Sequence, residues 1–338
     1  MQKKKTGLLV IYVCVAVFCL VVLAAGIGIG NIFGGIWETR GDAGDSGISS
    51  SYSYAAGDIK SLRIDWVNGK VSIRVLDDIE EIRIEEHANR KLKESEQLFL
   101  EESSDGSVDI RWRETSAVGN SKGFGVFSRN KILKKELIIE IPRSMESDFE
   151  NAEIDSVAGG VEINGVSLDS CFINTTSGSI KVDDASINTM DMDSVSGSIK
   201  LADVYSENAS LYTTSGSISA EDFISSDITA ESVSGHVDLS GEFEMNIDAG
   251  STSGGVKIDS AVCPNHAELD TVSGGIKLNI PENDGFTVEY ESMSGKFSSE
   301  FTGADKEKSG KAVYGNGDSR FEMSTISGNM SVNILQAG

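Results

Sequence analysis

An all-β chain built mainly as a parallel β-solenoid is predicted by three observations. A short phrase recurs at fixed spacing, apolar residues alternate with period two on both sides of it, and no apolar stripe of period 3.6 interrupts it. The phrase reads SVAGGVEI at 156, TTSGSIKV at 175, SVSGSIKL at 194, TTSGSISA at 213, SVSGHVDL at 232, STSGGVKI at 251 and TVSGGIKL at 271. Gly159, Gly178, Gly197, Gly216, Gly235 and Gly254 follow one another at 19 residues. Gly274 and Gly295 come after 20 and 21, and TISGNM carries a last copy at Gly328.

Alignment on the glycine defines the inward columns. Two residues after it stand Ile180, Ile199, Ile218, Val237, Val256, Ile276 and Phe297, and four after it Val182, Leu201, Ala220, Leu239, Ile258 and Leu278. Five before it stand Ile173, Met192, Leu211, Ala230, Ala249, Leu269 and Tyr290, and seven before it Cys171, Met190, Ala209, Ile228, Ile247, Ala267 and Val288. Each unit thus supplies two or more short strands around a tight Ser-Gly corner. That is too little to bury its own apolar face, so neighbours must stack. Nine or so rungs at about 4.8 Å give a rod of roughly 43 Å.

The repeats occupy residues 151–338, and four segments precede them. Residues 1–6 hold Lys3, Lys4 and Lys5, and no further charge occurs before Glu38. Residues 7–30 therefore read as a transmembrane helix, with the N-terminus cytoplasmic by the positive-inside rule and the rest of the chain outside the cell. A cleaved signal peptide is the competing reading, although Ala24, Ala25 and Gly26 make a poor cleavage pattern. Gly26, Gly30 and Gly34 have the spacing for helix dimerisation in the membrane. Residues 31–56 have the small polar composition of a flexible tether. Residues 57–150 alternate without a strict period and read as an irregular β-region that covers the first rung's edge.

Charge and cysteines narrow the function classes. Residues 1–150 carry 20 Lys+Arg and 23 Asp+Glu, whereas residues 151–338 carry 9 and 30. Such a surface repels nucleic acid. Cys14 and Cys19 lie in the apolar span, and Cys171 and Cys263 are four to five rungs apart, too far for a disulfide.

Catalytic chemistry finds little support. His87, His236 and His266 have no partner at metal-motif spacing, and Arg320 is the only arginine after Arg143. A carboxylate pair for glycoside cleavage is the one enzymatic alternative. Arg40-Gly41-Asp42 spells an integrin-binding tripeptide, and Asn174 and Asn208 open glycosylation acceptor patterns; all three are short matches that chance supplies. The single metal-directed feature is the column Asp184, Asp203 and Asp222, six residues after the glycine in three successive rungs. Like charges about 4.8 Å apart repel, and a weakly bound Ca²⁺ would relieve them. No other cofactor is expected.

ELIIEIPRS, the rungs with S-G-S-I/V turns and the closing segment GNGDSRFEMSTISGNMSVN resemble the bacterial putative-adhesin domains of unknown function. The resemblance covers about residues 57–338 and implies a right-handed β-solenoid with a surface role, found beside envelope-stress regulators. It brings no catalytic residues. The polar insert at 300–317 departs from the pattern and is expected to bulge outward. The resulting expectation is a non-catalytic, membrane-anchored adhesin or envelope scaffold with an unidentified surface ligand. The alternative is an accessory protein of envelope-stress sensing beside a membrane kinase.

Overall fold

The computed structural model describes residues 48–54, 59–113, 133–301 and 305–335. The segments read as cytoplasmic (1–6) and membrane-spanning (7–30) lie outside these, as do Gly26, Gly30, Gly34 and Arg40-Gly41-Asp42. Among the described residues no helix is long and apolar enough to cross a membrane.

The repeats form the expected parallel stack. Strands β8 (Asn151–Ser156), β9 (Val161–Asn164), β10 (Ser167–Thr175), β11 (Ile180–Ser194), β12 (Ile199–Thr213), β13 (Ile218–Ser232), β14 (Val237–Ser251), β15 (Val256–Ser260), β16 (His266–Thr271) and β17 (Ile276–Ile280) pair in parallel, rung on rung. Ile180 faces Ile199 and Ile199 faces Ile218, so the register is one repeat per rung. All four inward columns are buried.

Each full rung has three sides rather than two. Between β12 and β13 the paired runs are 199–202, 204–206 and 208–213, separated by Asp203 and Glu207. The short middle side contributes its own inward residues, Ala185, Val204 and Phe223, and the buried Ser206 and Ser225. Those hydroxyls donate to the Asn208 and Asp227 carbonyls, at 3.0 and 3.1 Å, and so close the second corner.

The glycine corner brings backbone onto backbone. A Cβ on Gly216 would sit 2.0 Å from the Gly197 oxygen, and one on Gly197 would sit 1.8 Å from that of Gly178, so only glycine fits. Three residues earlier a buried hydroxyl braces the contact. Thr213 Oγ1 accepts from the Gly216 amide at 3.1 Å and donates to the Gly197 carbonyl at 2.9 Å. Ser232 and Ser251 repeat this pair of bonds in the next two rungs.

Both ends depart from simple stacking. Residues 57–150, expected to be irregular, contain two regular rungs: β2 (Ser61–Trp66) with β3 (Val71–Leu76), and β6 (Ser107–Arg111) with β7 (Lys135–Pro142). β2 pairs in parallel with both β8 and β6, and β3 with both β9 and β7. Gly69 belongs to the corner column, since a Cβ on Gly159 would strike its oxygen at 1.6 Å. Trp66 takes the hydroxyl's place and donates from Nε1 to the Lys135 carbonyl at 3.1 Å.

The C-terminal end mirrors this arrangement. The last rung in sequence, β22 (Ser319–Thr325) with β23 (Met330–Ile334), inserts between β16–β17 and the outermost rung, β18 (Gly285–Ser292) with β19 (Phe297–Ser299). Gly328 therefore stacks on Gly274, and Gly295 on Gly328.

Antiparallel strands cover the outer edges. β4 (Ile82–Ala88) pairs with β7, β5 (Phe99–Glu102) with β6, and β1 (Ile48–Tyr54) with β4. The stretch read as a tether to residue 56 thus ends in a strand. At the other end β20 (Asp305–Glu307) and β21 (Ser309–Gly315) pair with β19 and β18, so the insert that was expected to bulge outward is a cap. Beneath the first cap, Lys135 Nζ and Glu86 Oε1 form a fully buried ion pair at 3.0 Å. Glu86 Oε2 also accepts from Ser50 Oγ and the Leu98 amide, each at 3.0 Å.

The inward columns give a direct test. Ile199 is fully buried, whereas Lys200 beside it points outward. Ile199→Asp should cost several kcal/mol in chemical denaturation, because it buries an unpaired charge between rungs. Lys200→Asp should stay within about 0.5 kcal/mol, as a surface change does.

Candidate functional site

Two surfaces of the stack gather chemistry-bearing side chains. The first is the corner that holds the aspartate column. Asp184, Asp203 and Asp222 lie in three successive rungs, since their flanking pairs 183↔202, 185↔204, 202↔221 and 204↔223 are in register. They are the non-glycine residues with positive φ among those described, at 51°, 52° and 49°. Gly165, at φ 74°, holds the same position one rung earlier. Left-handed backbone is unfavourable for most L-residues, and aspartate tolerates it with glycine and asparagine. The corner therefore accounts for residue type without a ligand. Among the described residues no group of three or more His, Cys, Asp or Glu side chains is arranged to hold a metal.

A shallow groove of about 470 Å³ runs along this corner. Its lining includes the three aspartates, Arg143 at one end, and Tyr205 and Ile224 on the middle side. Tyr205 and Ile224 are large apolar groups left more than two-fifths exposed.

The second surface is the outer face of the side that precedes the glycine corner. Asp191, Asp193, Tyr212, Glu231, Asp248, Glu268 and Asp270 all point outward from it, because they alternate with the buried columns of β11 to β16. Asp193 and Glu231 are half-buried, and burial pushes their carboxyls up to about 6 and about 7, helped by Asp191 and by Asp248 with Asp270 respectively. Asp248 is raised to about 6, through desolvation and then the charges of Glu268 and Asp270. The parallel register sets Asp248 beside Glu268, and the opposing influence of His266 on Asp248 is smaller than that of these acidic neighbours.

The remaining candidates are occupied structurally. His236 Nδ1 accepts from the Gly255 amide at 2.9 Å, His266 Nδ1 lies 3.1 Å from the Arg320 carbonyl, and His87 Nε2 lies 3.1 Å from Glu85 Oε2. Asn174 donates to Asp155 Oδ1 at 3.1 Å. Cys171 and Cys263 are free thiols, and burial raises that of Cys171 to about 12. Sequence reasoning found the aspartate column but missed the acidic face. Its members share no single residue type and emerge only when the outward positions of several rungs are laid side by side.

The acidic face predicts a pH dependence with a definite sign. The folded values of about 6, 7 and 6 lie above the ordinary 3.8 and 4.5, so the folded chain binds protons more tightly than the unfolded chain in that window. The stability these groups contribute is full below pH about 4 and is lost as pH rises through about 6 to 7. The melting temperature should therefore climb as pH is lowered from 8 to 5. Glu231→Gln should raise it at pH 8 and flatten the climb. A midpoint that falls steadily on acidification would contradict the assignment.

The sequence matches the Toastrack DUF4097 family over residues 59–333. No curated protein matches it. Three solved structures are similar at low identity. One, described as a putative cell adhesion protein from Clostridium sporogenes, is 12% identical with a TM-score of 0.25, covering 84% of this chain and 98% of that one. A putative adhesin from Bacteroides fragilis is 14% identical with a TM-score of 0.41, covering 84% and 96%. A putative adhesin from Parabacteroides distasonis is 12% identical with a TM-score of 0.35, covering 86% and 98%. Spanning all but the first described strand and the last few residues, the family match is that of the solenoid itself, and the chain belongs to the Toastrack DUF4097 family.

Proposed function

We propose that this chain is a non-catalytic, membrane-anchored binding protein of the cell surface, an adhesin or envelope scaffold that works through the outer faces of its stack. The observation that carries the reading is the exterior of the repeats. Outward columns recur rung after rung, about 4.8 Å apart, and present rows of similar groups instead of a cleft with convergent catalytic side chains. The aspartate corner, the acidic face and the serine ridge beside the glycines, from Ser177 through Ser196, Ser215, Ser234 and Ser253, are three such rows. The apolar run at residues 7–30 supports the anchor, and the adhesin descriptions of the similar structures fit the reading.

Many weak, equivalent contacts give avidity that grows with their number. Because each rung is one repeat, residues 198–216 can be removed to join Gly197 to Ser217 in the same Gly-Ser-Ile context. The shortened protein should fold and melt cooperatively. Cells that display it should adhere to their target surface less strongly than cells with the full chain, and the loss should be partial. Abolition of adhesion by a single outward substitution, with folding intact, would indicate one discrete site and contradict a distributed surface.

A further inference from the structure

The end of the fold opposite β18–β21 finishes in an edge strand that lacks the usual protection. Over residues 48–54 β1 reads ISSSYSY, with neither charge nor proline, and among the described residues it pairs with β4 alone. Exposed strand edges are normally blunted by charges, proline or bulges, since unpaired amides and carbonyls template further pairing. β21, the outer strand at the other end, carries Lys311 and follows Lys308 directly. The single irregularity of β1 lies at Ile48–Ser50, which leaves Ser50–Tyr54 as a regular run.

This run is held firmly from behind. Ser50 Oγ donates to the buried Glu86 carboxylate at 3.0 Å, and Tyr52 and Tyr54 pack against the hydrophobic core. Ser51 and Ser53 face solvent. The strand is thus presented already extended, which lowers the ordering cost of pairing.

We infer that β1 is an interface between two copies of this chain, the two β1 strands pairing antiparallel across a two-fold axis. Charge selects this occupant and this end. With 9 Lys+Arg against 30 Asp+Glu, residues 151–338 of two copies repel, whereas residues 38–150, which follow the proposed span, are closer to balance at 17 against 23. Two copies therefore approach most easily where β1 lies. A strand that pairs with itself about a two-fold satisfies both edges and closes at two copies. Pairing of β1 with β21 of the next copy would also cover both edges, but it would bring the acidic halves together and run on into a filament. The interface is distinct from the membrane span and does not rest on the proposed adhesive role.

The test uses the full-length chain in detergent micelles, with Cys14, Cys19 and Cys263 replaced by serine and the buried Cys171 retained. Ser51→Cys or Ser53→Cys should give a disulfide-linked dimer under mild oxidation, and Val313→Cys on β21 should stay monomeric. In light scattering, Ser51→Lys with Ser53→Lys should lower the dimer association constant at least about tenfold, and melting at concentrations too low for dimer should be unchanged. The inference is overturned by a folded chain that is monomeric, by the absence of cross-linking at both β1 positions, or by cross-linking of Ser51→Cys to Val313→Cys in a mixture. A dimer that ignores the two lysines overturns it as well, and would place association in the span.

Discussion

Backbone-to-backbone contact at the glycine corner is the constraint on which the stack depends. Ten glycines, from Gly69 through Gly159 and the regular repeats to Gly274, Gly328 and Gly295, bring each corner against the carbonyl of the one below, where a Cβ would sit between 1.5 and 2.0 Å from that oxygen. Such contact fixes the height and phase of each rung. The buried hydroxyl three residues earlier then ties two rungs with one side chain, satisfying an amide and a carbonyl that the tight corner would otherwise leave unpaired. With the corner fixed, columns of Ile, Val, Leu and Met fall into register and the core follows.

The same register that aligns apolar residues inside also aligns charges outside. Half-buried carboxylates share the acidic face, where desolvation and then the charge of neighbouring carboxylates raise their proton affinity. Under the proposed binding role, groups that weaken the fold at neutral pH are tolerated because they form the surface that would bind. Uniform exteriors and costly like-charge rows are expected of a surface that acts along its length. The ends need a different device. The antiparallel caps β4, β5, β20 and β21 cover the outer rungs, and the rung order is reversed at each end, so that β2–β3 and β22–β23 each lie between two other rungs.

Where the period was strict, sequence and structure agree closely. The glycine spacing from Gly159 to Gly254 located both sides of the corner, and every inward column it defined is buried. Gly69 escaped because β4 to β7 separate it from Gly159 in the chain, although Ile64, Val71 and Ile73 obey the same offsets. Inserted order at the C-terminal end left no mark, since GNM at Gly328 looks like any last copy. The short middle side was hidden because its buried positions vary in type, with Ser206 and Ser225 standing where Leu168 and Ile187 stand in the preceding rungs. For Asp184, Asp203 and Asp222 the column was legible but its conformational cause was not, because positive φ is a property of the backbone. The serines of β1 read as tether, because their composition is shared by a loose segment and by an edge strand backed by tyrosines.

Melting of Gly216→Ala beside Gly250→Ala tests the corner most directly. A Cβ at Gly216 meets the Gly197 oxygen at 2.0 Å, whereas one at Gly250, next to the end of β14, meets no atom nearer than 3.5 Å. If the corner contact fixes the stack, Gly216→Ala costs about 2 kcal/mol or more, and Gly250→Ala is neutral or stabilising by up to about 1 kcal/mol. Equal stability of the two variants would contradict the account, because the rungs would then be held by their apolar columns alone.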